Sequence, residues 1–125
     1  MKKIVIFIGE SLLAQGIFSY LSAHLHQVQI CALDPSRVDA FEQIKNLQPD
    51  IVILETEYLW KDTRFSCMSL LKLFPHLTVL ELRTDSPEVN IIKSERRKPA
   101  NLEELVSFLN INETVLSNPI LLQTL

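Results

Sequence analysis

Pro49-Asp50-Ile51-Val52-Ile53-Leu54-Glu55 is the stretch that decides the fold. Proline and aspartate punctuate the chain, and Ile51 to Leu54 then run without a polar residue. A strand with one face in water alternates apolar and polar side chains, whereas a strand covered on both faces reads as a continuous apolar run. Ile51–Leu54 is therefore a buried strand, and it ends at an acidic side chain, Glu55.

Working outward, Ile4-Val5-Ile6-Phe7-Ile8 is a second run of the same kind, broken by Gly9-Glu10-Ser11. Ser11 is suited to cap a helix with Leu12, Leu13, Ile17, Tyr20 and Leu21 on its apolar side. Gly16 weakens that helix by about 1 kcal/mol relative to alanine. Val28–Leu33 is the next strand, ended by Asp34-Pro35-Ser36, where either Asp34 or Ser36 caps a helix with Val38, Phe41, Ile44 and Leu47 inward. Downstream of Glu55, Asp62 or Thr63 opens a helix that places Phe65, Met68, Leu71 and Phe74 on one face and stops at Pro75. Leu77–Leu82 and Val89–Ile92 are two further strands. Asn101 with Glu104 resembles a capping box ahead of Leu102, Leu105, Val106, Phe108 and Leu109. Alternating strands and helices with near-continuous apolar strands predict an α/β domain, a mainly parallel five-stranded sheet with helices on both faces. The domain spans residues 1–110, and an apolar tail, residues 111–125, follows it.

Composition narrows the function. With 125 residues, 47% hydrophobic and 22% charged, the chain suits one globular domain. The net charge is −3, and the one basic cluster, Arg96-Arg97-Lys98, is flanked by Glu95, Glu103 and Glu104. Nucleic-acid binding by phosphate neutralisation is not expected. Cys31 and Cys67 lack metal-ligand spacing and read as reduced thiols of a cytoplasmic protein. His24, His26 and His76 form no metal set, and neither a metal nor another cofactor is expected. No apolar run approaches the ~18 residues of a membrane span. The N-terminal run meets Glu10 too early for a signal peptide, and no small-residue cleavage site follows.

Pro49-Asp50 with the hydrophobic run and Glu55, Lys3-Ile4-Val5-Ile6 followed by Glu10, and Lys98-Pro99 with Glu103-Glu104-Leu105 together resemble a response-regulator receiver domain over about residues 2–110. The resemblance implies a flavodoxin-like (CheY-like) three-layer sandwich with strand order 2-1-3-4-5. It also implies a chemistry: an aspartate ending the third strand takes a phosphoryl group, and an acidic pair ending the first strand holds magnesium. A Thr or Ser after the fourth strand and a Lys after the fifth read the phosphate. Here the phospho-site equivalent is Glu55, and the acidic pocket is degenerate, with Ile8 and Gly9 at the metal positions and only Glu10 acidic nearby. Ile8 and Gly9 offer magnesium no side-chain oxygen, and Glu55 is a methylene too long for geometry that tolerates ~0.5 Å. Phosphotransfer is not expected, and no catalytic residue is assigned.

Spacing departs from the family as well. Only Arg83-Thr84-Asp85-Ser86-Pro87-Glu88 separates Leu82 from Val89, whereas a parallel crossover needs roughly 10–12 residues or more. The fourth helix is therefore expected to be missing, with the last strand antiparallel at the sheet edge and Lys98 at the end of the sheet remote from Glu55. Losing that helix would bare Val79 or Leu80 and Ile91 or Ile92, with the tail as the candidate cover, from its own chain or a twofold copy.

These residues frame the functional expectations. Glu55 is either a standing mimic of phospho-aspartate or a solvated strand-end carboxylate. Arg83, Thr84 and Lys98 are candidate switch or charge-pair positions, and Tyr58 and Trp60 candidate partner contacts. The leading reading is a phosphorylation-independent signalling module whose partner is another protein, with a homodimer as the further candidate. The competing reading is a small flavodoxin-like ligand-binding domain or enzyme, working from the rim at Gly9, Glu10, Ser11, Glu55 and Thr56.

Overall fold

The computed structural model describes residues 1–55, 60–94 and 98–109. The chain divides into two compact units, Met1–Glu95 and Arg96–Leu125. The first contains β1 (Lys2–Phe7), α1 (Leu12–His24), β2 (Val28–Leu33), α2 (Ala40–Leu47), β3 (Ile51–Glu55), α3 (Cys67–Leu73), β4 (Thr78–Leu82) and β5 (Val89–Lys93). They form one five-stranded sheet in the order β2-β1-β3-β4-β5. β1 to β4 run parallel, and β5 pairs with β4 in the antiparallel sense, from Leu82 opposite Val89 to Thr78 opposite Lys93.

The pleat of the central strands feeds two cores. Val5, Phe7, Val52, Leu54 and Val79 point to the side of α2 and α3, where Ile44, Phe65, Leu70 and Leu77 meet them. Ile4, Ile6 and Ile53 point to the side of α1, where Ala14 is buried and Ile17, Phe18 and Leu21 pack. Alternate burial of neighbours in an unbroken apolar run is what a doubly covered strand requires. Each fully buried side chain of this kind contributes roughly 1.5–3 kcal/mol.

Helix starts correct several inward faces. Ser11 caps α1 as expected, but its inward stripe is Ala14, Ile17, Phe18 and Leu21, while Leu12 and Tyr20 are exposed. The helical period counted from the cap selects the first set. Val38 lies outside α2 and is fully exposed, because Asp34 makes a turn of its own: its Oδ1 accepts from the Ser36 amide (3.0 Å) and hydroxyl (2.6 Å). α2 then starts after Asp39. The third helical region is broken into a 3-10 turn, Thr63–Phe65, capped by Asp62, and α3, capped by Ser66. The break turns Met68 outward and leaves Phe65, Leu70, Leu71 and Phe74 buried.

No helix stands between β4 and β5, and their antiparallel pairing follows the spacing argument. The side chains expected to be bare are covered only in part. Val79 is fully buried and its partner across the hairpin, Ile92, packs on the same core as α3. Ile91 is the exposed one, at 65%. A hairpin turns alternate residues to opposite faces, so β5 supplies one side chain to the α3 core and presents the next outward.

In the second unit α4 (Leu102–Leu109) starts as the capping-box pattern predicts. Asn101 Oδ1 accepts from the Glu104 amide, and the Glu104 carboxylate accepts from the Ala100 amide, both at 2.9 Å. The tail, residues 111–125, lies outside the described residues. No helix among the described residues is long and apolar enough to cross a membrane.

Candidate functional site at the carboxyl end of the sheet

β1 and β3 are parallel neighbours, so the segments that leave them open on the same rim. Ile8 continues the line of β1, its amide donating to the Leu33 carbonyl at 2.8 Å. Gly9 and Glu10 turn the chain, and Ser11 caps α1. The Ser11 hydroxyl accepts from the Ala14 amide (3.2 Å) and donates to the Glu55 carboxylate. Glu55, 9% exposed, is the one charged residue buried among the described residues. It is therefore a bonded, buried carboxylate rather than the solvated strand end weighed as the alternative.

The charge balance follows from this chain of bonds. A buried carboxylate is costly unless hydrogen-bonded, and a hydroxyl donor to an ionised acceptor is among the stronger bonds available. The partially positive N-terminus of α1 lies one bond further on, through the Ala14 amide. Both functions of the Ser11 hydroxyl, donor and acceptor, are engaged inside the fold. Ile8 and Gly9 bring no side-chain oxygen to the rim, Glu10 is exposed, and no group of three metal-ligating side chains occurs among the described residues.

The hairpin turn reaches the same rim, since Glu55 pairs with Leu82 in the β3–β4 ladder. Arg83 meets Asp85 in a fork, Nε to Oδ1 at 3.0 Å and Nη2 to Oδ2 at 3.2 Å. Those bonds hold the Asp85 carboxyl below the usual carboxylate range. Both are exposed, as is Thr84. β5 carries the chain away from this rim and ends at Lys93, opposite Thr78 at the far end of β4. Lys98 belongs to the second unit and is exposed. Tyr58 lies outside the described residues.

Trp60 is half-buried and packs edge-on to Phe7, with ring centroids 6.2 Å apart. Its other environment is a feature the sequence reading did not find. A hollow of about 560 Å³ opens between the loop after β2 and the loop after β3, lined by Ser36, Arg37, Val38, Trp60, Lys61 and Arg64 among others. A second hollow of about 340 Å³, lined by Phe41, Ser69, Lys72 and Leu73, shares Arg64 as its wall. Arg64 is held in place: Asp62 grips its guanidinium in a fork (shortest contact 2.7 Å), and the group sits over the Phe41 ring, 3.9 Å from the centroid. The Asp62 carboxyl is lowered by the hydrogen bonds from Arg64, and the Arg64 guanidinium is raised in return. The signal available in the sequence was faint. These cations are scattered over two loops and a helix, and meet only because α2 and α3 lie on one side of the sheet.

Comparison with family models, with curated proteins and with solved structures finds no match to this chain.

Proposed function

We propose that this chain is a receiver-like module of flavodoxin-like fold that acts by contact with another protein and does not use aspartate phosphorylation. The strand order β2-β1-β3-β4-β5 with helices on both faces supports the fold part of that reading. The observation that carries the functional part is Glu55. It ends β3, where the resemblance puts the phosphorylated aspartate, and its carboxylate is already bonded to the Ser11 hydroxyl. A receiver gains charge at this position on phosphorylation, and a hydroxyl engages that charge. Here the charge and its hydroxyl partner are both built into the chain. Ile8 and Gly9, at the metal positions, supply no ligand for the magnesium that phosphotransfer requires. A fixed arrangement of this kind suits a module held in one state, with output through a protein surface, in a homodimer or with a different chain. Two free cysteines, Cys31 and Cys67, fit a reducing compartment such as the cytoplasm.

Incubation of the full chain with magnesium and acetyl phosphate tests the reading. The expected result is an unchanged intact mass and an unchanged amide NMR spectrum. The mass of one added phosphoryl group, lost on Glu55→Gln or Glu10→Gln, would overturn it.

A further inference from the structure

The two hollows share Arg64, the larger between the segments that lead into α2 and α3 and the smaller between those helices, on the side of the sheet away from α1. Their apolar surface comes from Val38, Phe41, Trp60 and Leu73, with Val38 fully exposed and Leu73 39% exposed. Their charge comes from Arg37, Lys61, Arg64 and Lys72, against one lining carboxylate, Asp62, which Arg64 already occupies. Arg37, Lys61 and Lys72 make no ion pair among the described residues. In a chain of net charge −3, four cations on one lining against a single lining carboxylate run against the whole, although Asp34 lies near enough to Arg37, and Glu42 to Arg64, to offset part of that charge. Like charges gathered on one face repel one another, and an anionic occupant would relieve that repulsion.

We infer that this pair of hollows docks an acidic, amphipathic protein segment, its carboxylates on Arg37, Lys61, Arg64 and Lys72 and its apolar side chains on Val38, Phe41 and Leu73. The inference rests on the reading of the chain as a contact module and names the partner's chemistry. Arg64 is the preorganised element. With one edge clamped by Asp62 and one face over Phe41, it loses little conformational freedom when a further carboxylate arrives. An extended segment fits better than a compact anion because a compact ligand fills one hollow, whereas a chain runs past Arg64 into the second. A nucleic-acid strand fits less well. Sites for such strands stack successive bases on several aromatic rings, and each hollow here has one aromatic side chain in its wall.

The test uses the isotope-labelled full chain and a short synthetic peptide of glutamate and leucine. Expected are amide shifts confined to residues 35–41, 60–64 and 69–73, weakening with added salt. A peptide with glutamine for glutamate should leave these amides unmoved. The double reversal Arg37→Glu with Lys61→Glu, its fold verified by an otherwise unchanged spectrum, should weaken peptide binding by roughly tenfold or more. Scattered or absent shifts, equal binding by the doubly reversed chain, or tighter binding of a short single-stranded oligonucleotide would overturn the inference. The acetyl phosphate experiment does not involve these hollows, so failure of the docking and failure of the phosphate-independent reading are told apart.

Discussion

The hydroxyl of Ser11 joins the first turn of α1 to the carboxylate of Glu55, so one side chain both caps a helix and gives the buried carboxylate a hydrogen-bond donor. Ser11→Ala removes the cap and leaves a buried carboxylate short of a donor. A loss of about 2 kcal/mol or more in urea unfolding is expected. Glu55→Gln keeps an acceptor for the hydroxyl and should cost under about 1 kcal/mol. A Ser11→Ala loss no larger than the ~1 kcal/mol of a helix cap, with none for Glu55→Gln, would show that the cap alone matters.

Gly16→Ala should stabilise the chain. Gly16 lies in the middle of α1, and a methyl group added there would find no atom within 4 Å. The gain expected is about 0.5–1 kcal/mol, from helix propensity and a less flexible unfolded chain, read as a raised urea midpoint at constant slope.

Ile91 and Ile92 are neighbours with opposite fates, and their alanine variants test the hairpin. Ile92→Ala removes contacts with the α3 core and should cost roughly 1–3 kcal/mol. Ile91→Ala trims a side chain already 65% exposed and should stay within about 0.5 kcal/mol. A reversed ranking in thermal or urea unfolding would place β5 in the wrong register.

Cys67 should be a slow thiol. Burial first, and the Glu81 carboxylate second, push its pKa above the ordinary thiol value. In a Cys31→Ser background, disulfide-exchange reagents should react slowly at pH 8, and Glu81→Gln should give a modest increase in rate. The folded pKa is the raised one. The resulting stability is therefore complete below the unfolded thiol's pKa, and is lost as pH rises through the folded value. Unfolding midpoints should fall across that alkaline window in the parent and much less in a Cys67→Ala variant.

Legibility followed the range of the signal. Strands stood out because unbroken apolar runs have one explanation, and the spacing from Leu82 to Val89 excluded a crossover, so the antiparallel edge was readable. Inward faces were harder. Leu12, Tyr20, Val38 and Met68 looked inward because hydrophobicity alone was counted, whereas the start of each helix sets its phase. Ser36 is taken up by the Asp34 turn, and Ser66 restarts the chain after a 3-10 turn; either moves the phase by enough to expose a large side chain. At the rim, Glu55 was legible and its bond to Ser11 was not, since a contact between residues 11 and 55 depends on β1 and β3 lying side by side. The two hollows were invisible for the same reason.

The hairpin also bears on the order in which the chain assembles. β1 and β3 pair directly in the sheet but are separated in the chain by α1, β2 and α2, a long-range closure that is slow in parallel sheets. β4 and β5 are joined by a short turn and can pair on the microsecond scale of an isolated hairpin, roughly 1–10 μs. Val79 and Ile92, paired across that hairpin, face the α3 core together. A turn rather than a crossover between β4 and β5 thus makes this edge of the sheet local in sequence.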